Sequence, residues 1–130
     1  MKLEARRIAA ARLASLQVAG AKARTPAEVV AALGAVQAQD YAGSLWAVGL
    51  RVPGSTEADV ERAVAERRIV RTWPMRGTLH FVAAPDVRWM LTLLAARFVR
   101  GDSSYSRQLG LDDRAFTRAR RVVTRALERD

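Results

Sequence analysis

The chain has 130 residues, 50% hydrophobic and 27% charged, with 22 basic against 13 acidic side chains and a net charge of +9. The absence of cysteine excludes a disulfide framework, thiolate metal sites and a cysteine nucleophile, and a single histidine excludes a His-rich metal site. No apolar run approaches the ~20 residues of a membrane span, and the charged start Met1-Lys2-Leu3-Glu4 lacks the apolar stretch of a signal peptide, so a cytoplasmic protein with no membrane partner is expected.

In chain order, a first helix is expected from Leu3 to Gln17, with Ile8, Ala9, Leu13 and Leu16 as its apolar stripe and Gly20 after its end. Thr25-Pro26-Ala27-Glu28 predicts a second start, with Thr25 as N-cap, Pro26 at the first position and Glu28 closing a capping box; Val29, Val30 and Leu33 face inward and Gly34 ends it. A third helix over Gly43 to Leu50 is expected to bury Leu45, Trp46 and Val48, with Asp40 as a helix cap. Thr56 and Asp59 cap a fourth, to about Arg67. The period then changes to two. Ile69, Trp73 and Met75 share one face of a strand, Leu79 and Phe81 one face of the next, and Arg76-Gly77 turns between them; Pro74 makes the first an edge strand. Pro85-Asp86 opens a fifth helix carrying Val87, Met90, Leu91, Leu94 and Phe98. A polar loop from Gly101 through Ser104 follows, and Asp112 caps a last helix with Phe116, Ala119, Val123 and Leu127 in a stripe. The order predicts a mainly α fold with a small β-hairpin, a winged helix over 1–105, and a loop and helix over 106–130 that either dock on this domain or begin a second unit.

The charge is uneven. All basic residues except Lys2 and Lys22 are arginine; residues 1–65 carry a net +2 and residues 66–130 a net +7. An asymmetric positive field favours a polyanion, nucleic acid ahead of an anionic membrane. The helix before the hairpin carries Glu57, Asp59, Glu61 and Glu66, which would repel phosphate, so a solvated outer helix is expected there. The basic residues sit instead on the hairpin (Arg68, Arg71, Arg76), on the fifth helix and its exit (Arg88, Arg97, Arg100, Arg107) and on the last helix. Arg76 at the hairpin tip is best placed to reach a groove; Trp46, Trp73 and Trp89 read most simply as core, with Trp73 the best placed of the three to stack on a base. His80 reads as a solvent-facing or hydrogen-bonded structural histidine, and Asp40 next to Gln39 as a cap rather than a base. Gln37 and Gln39 alternate with Val36 and Ala38, so an extended segment points both amides the same way. An amide cannot serve as a general base at neutral pH, but it can orient a water. The sequence holds no Gly-rich phosphate loop, Ser-His-Asp arrangement or metal-ligand cluster.

Two stretches, Leu33-Gly34-Ala35-Val36-Gln37-Ala38-Gln39-Asp40-Tyr41-Ala42-Gly43-Ser44-Leu45-Trp46-Ala47 and Val70-Arg71-Thr72-Trp73-Pro74-Met75-Arg76-Gly77-Thr78-Leu79-His80, resemble the N-terminal signature of the AlkZ/YcaQ-like winged-helix DNA glycosylases. The resemblance implies enzymes that cut the N-glycosidic bond of alkylated or crosslinked purines in double-stranded DNA, without metal or cofactor. The family's motif of Gln, an apolar residue, and Gln or Asp falls on Gln37, Ala38 and Gln39, making both glutamines the implied catalytic residues. The second stretch supplies the implied DNA contacts: Arg71, Trp73, Arg76, Thr78 and His80. Family members are longer, with several winged-helix units and a small β-barrel, so this chain matches only their N-terminal part. A non-catalytic DNA-binding module stands as the alternative to a glycosylase active in these residues alone, and missing C-terminal domains are further expected partners.

Overall fold

The computed structural model describes residues 2–20, 23–101, 106 and 108–128, and among these the side chains of 2–3 and 95–101 are left aside. Helix α1 (Lys2–Ser15) ends before Gly20. Val18 and Gln17 donate backbone N–H groups to Leu13 O (2.9 Å) and Ala14 O (2.9 Å) while Gln17 takes φ +56, a Schellman ending in which glutamine fills the left-handed position. Its stripe is not buried: Ile8, Leu13 and Leu16 are all exposed. The Arg51 Nε donates to Leu16 O at 2.8 Å, serving one of the carbonyls that the end of a helix leaves unpaired.

Helix α2 (Pro26–Leu33) starts at Thr25, whose hydroxyl accepts the Glu28 N–H at 3.2 Å. The Glu28 carboxylate accepts from the Arg24 N–H (2.9 Å), one residue before the Thr25 N–H that a capping box would use. Strand β1 (Val36–Gln37) follows, then α3 (Tyr41–Gly49) and α4 (Glu57–Ala65). Thr56 and Asp59 complete the expected capping box of α4. Strands β2 (Ile69–Met75) and β3 (Thr78–Ala83) form the hairpin; at its tip Arg76 (φ +52) and Gly77 (φ +67) both take positive φ, as a two-residue type I′ turn requires.

The sheet has three strands, not two. Its order is β1-β3-β2, antiparallel throughout, with Val36 opposite Phe81, Gln37 opposite His80 and Arg71 opposite Phe81. Strand β2 is therefore an edge, as Pro74 predicted. A bulge between Thr72 and Met75 interrupts the alternation, so Pro74 is buried while Trp73 is 63% exposed, off the face that Ile69 keeps in the core. One sheet face carries Ile69, Phe81 and Ala83 into a cluster with Val29 and Val30 of α2, Leu45 and Val48 of α3, and Val60 and Ala63 of α4. Each large side chain buried there contributes about 1.5–3 kcal/mol relative to exposure. Trp46 departs from expectation: α3 turns Leu45 and Val48 inward, leaving Trp46 72% exposed.

A short 3₁₀ turn (Ala84–Asp86) takes up Pro85 and Asp86, and α5 (Val87–Gly101) begins after it, with Met90 buried and Leu91 and Leu94 half-buried. The side chains of Phe98, Arg97 and Arg100 lie outside the described residues, as do Asp102, Ser103, Ser104 and Arg107. Helix α6 (Asp113–Leu127) is capped by Asp112, whose carboxylate accepts the Ala115 N–H at 2.8 Å. Residues 1–95 and 96–130 form two compact units. No helix among the described residues is long and apolar enough to cross a membrane.

Candidate functional site

The two glutamines emerge where β1 gives way to α3. Ala38 continues the ladder by donating its N–H to Leu79 O at 2.8 Å, but the reciprocal bond is replaced. The Leu79 N–H goes to the Gln39 side-chain oxygen at 3.1 Å, and the Ala38 carbonyl takes the Arg71 guanidinium instead, Nε at 3.0 Å and Nη2 at 2.9 Å. Arg71 Nη2 also reaches Gln39 O at 3.4 Å, and its guanidinium lies 5.2 Å from the centroid of the Tyr41 ring, which meets Phe81 edge-on. Two side chains thus exchange partners with one peptide unit and hold the segment after Gln37 in place.

The exchange fixes the chemistry of Gln39. Its neighbour is a donor, so the atom facing Leu79 must be the carbonyl oxygen, and the amide N–H₂ turns the other way as a donor. Gln37 is exposed and has both amide atoms for a ligand or water. Both line an open cleft of about 420 Å³ with Asp40, Gly43, Ser44 and Ala47. The last four recur at positions i, i+3, i+4 and i+7, one face of α3. That spacing of small residues beside the glutamines is the sequence signal that marks the cleft wall. Asp40 is the N-cap, accepting the Gly43 N–H at 3.2 Å. A Cβ on Gly43 would lie 2.4 Å from the Asp40 carboxylate, so glycine is what lets cap and cleft coexist.

The hairpin residues fall in three settings. Trp73 and Arg76 are exposed, at the bulge and the tip. Arg71 is half-buried in the exchange described above. His80 is 3% exposed, its Nδ1 2.9 Å from Thr78 O, so it is a hydrogen-bonded structural histidine, and the Thr78 hydroxyl oxygen is buried with no hydrogen-bond partner among the described residues. Across the sheet His80 stands opposite both Gln37 and Thr72, making one row on the face away from Phe81. Two acidic residues here are locally tied: Asp59 of α4 to Thr56 and Arg62, and Glu66, just after the helix, to Arg68 at 2.7 Å. Hydrogen bonds from the Thr56 backbone and hydroxyl, then the Arg62 charge, hold the Asp59 carboxyl below its ordinary range. No group of three or more His, Cys, Asp or Glu that could hold a metal occurs among the described residues.

The chain is 37% identical over 68 residues to an interstrand DNA cross-link repair glycosylase of Streptomyces sahachiroi; the match covers 52% of this chain and 18% of that protein. No solved structure matches. The family model for DNA glycosylase AlkZ-like proteins matches residues 30–130, which include the glutamine cleft, the hairpin and α6. With most of its length matched, the chain belongs to the AlkZ-like DNA glycosylase family.

Proposed function

We propose that the chain is the winged-helix segment of a DNA glycosylase, and that Gln37 and Gln39 position the water that hydrolyses the N-glycosidic bond of an alkylated or crosslinked purine in double-stranded DNA. Residues 1–105 are the winged helix on this reading, and 106–130 begin the next unit. The observation that carries it is the meeting of both amides in one open cleft, within a chain of this family. An N7-alkylated purine is cationic and departs with the electron pair of the C1′–N9 bond, which neutralises it. Water then bonds to C1′ and releases its proton to solvent. Such a step needs a positioned water and a polar environment for the oxocarbenium-like sugar rather than a strong acid or base. Gln39 can donate and Gln37 can accept, which suffices to orient one water. An open cleft also suits a bulky lesion that a tight base-flipping pocket would reject. Trp73 and Arg76 are exposed for contact with DNA, while Arg71, Thr78 and His80 act from beneath them by fixing the hairpin and the glutamine segment.

The test is a labelled duplex carrying one N7-alkylguanine, treated with hot alkali after incubation to break the strand at abasic sites. Gln37→Ala, which touches no described hydrogen bond, is expected to lower the cleavage rate by about 10²-fold. Equal cleavage by both proteins would overturn the role of Gln37. A second reading, a DNA-binding module that does not cleave, is favoured by one observation: the match spans 18% of the related glycosylase. Salt-sensitive DNA binding without strand breaks would establish it.

A further inference from the structure

Helix α6 distributes its side chains with a sharp division. Arg114, Arg118, Arg121 and Arg125 follow one another at spacings of 4, 3 and 4 residues, all exposed. At 3.6 residues per turn they fall within an arc of about 60° and extend about 16 Å along the axis. Phe116, Ala119, Val123 and Leu127 occupy the other side, with Ala115, Val122 and Ala126. None of the four arginines is in an ion pair among the described residues. A shallow groove of about 320 Å³ runs beside the stripe, lined by Arg114, Arg118 and Arg121 with Thr117 and Asp113.

Four like charges in so narrow an arc repel one another, and a helix gains nothing from them without a counter-charge. The occupant that matches a regular row of guanidinium groups is a regular row of phosphates, since each guanidinium pairs with phosphate oxygens through two parallel N–H donors. Duplex DNA carries a charge about every 1.7 Å of axis, so a stripe of this length faces several phosphates at once. A lipid surface is the competing polyanion, because an amphipathic helix with arginines on its polar face also lies in a headgroup layer. The apolar side of α6, however, is mostly alanine and valine, with only Phe116 and Leu127 as large side chains, and offers little area to insert. We propose that the arginine stripe of α6 is a second DNA-contact surface, which tracks the phosphate backbone without reading sequence. It rests on the reading of DNA as the partner, but not on catalysis.

Binding of the 130-residue chain to a fluorescent undamaged duplex, measured across a salt series, tests it directly. Each phosphate contact contributes about 0.9 to the slope of log K against log salt. The variant R114Q/R118Q/R121Q/R125Q keeps helix-favouring residues and is expected to flatten the slope by about 3.6, four contacts' worth, while Arg120→Gln, off the stripe, changes it by less than about 0.5. Equal losses per charge in the two variants, at unchanged helix content by circular dichroism, would overturn the proposal in favour of diffuse attraction. An unchanged slope would also overturn it, and loss of binding to phosphatidylglycerol vesicles alone would reassign the stripe to a lipid surface. Because no lesion is present, failure of the stripe and failure of the glutamine chemistry give separate results.

Discussion

The Ala38 carbonyl accepts from a side chain of another strand, Arg71, and the Leu79 N–H donates to the side chain of Gln39, the residue after Ala38. Either truncation therefore leaves a main-chain group without its partner: Arg71→Ala strands the Ala38 carbonyl, and Gln39→Ala strands the Leu79 N–H. Each is expected to cost about 1–3 kcal/mol in urea unfolding, toward the lower end where water reaches the vacated group. Because both act on one peptide segment, the double variant is expected to depart from additivity by at least about 0.5 kcal/mol. Gln39→Glu keeps an acceptor for Leu79 and so separates loss of fold from loss of chemistry. The identities of these residues were legible in the sequence as parts of two motifs. Their partnership was not, because Arg71 and Ala38 lie far apart in the chain and only the pairing of β1 with β3 brings them together. Periodicity treats Val36 to Gln39 as an extended stretch but says nothing of the strand it joins.

Single elements were read more securely at their ends than on their faces. The caps at Thr25, Asp40, Thr56 and Asp112 all form, because an N-cap bond closes within three residues and needs no tertiary information. The faces of α3 and β2 depart from expectation at Trp46 and Trp73, where apolarity alone points to burial but three packing helices and a bulge decide. The cap of α4 carries a pH dependence whose sign follows from Asp59. Its folded-state pKa is lowered, so the cap stabilises α4 above the ordinary carboxylate range and loses that contribution as pH falls through the lowered value. Acid unfolding of Asp59→Asn beside the parent protein is expected to show a stability gap at neutral pH that closes on acidification. A gap constant down to the end of the titration would mean that the carboxylate charge has no part in the cap.

At the scale of the molecule, the core lies within residues 1–95, while no described side chain of α6 is buried. A helix of 15 residues without buried contacts is marginal in water. Hydrogen exchange on the free chain is accordingly expected to be slowest in β3 and nearly unprotected in α6, and duplex DNA is expected to slow α6. The charge arithmetic foresaw the weight of basic residues in the second half, but only the helix phase shows that four of them form a row. The three tryptophans, Trp46, Trp73 and Trp89, are all more than half exposed. Their indole emission is therefore already close to that of water in the folded protein and changes little when the core melts, so unfolding is better followed by far-ultraviolet ellipticity. The same exposure makes the indoles built-in surface probes. A blue shift or quenching on adding a ligand reports an event at the α3 face, the hairpin or the start of α5, and single Trp→Phe variants resolve which.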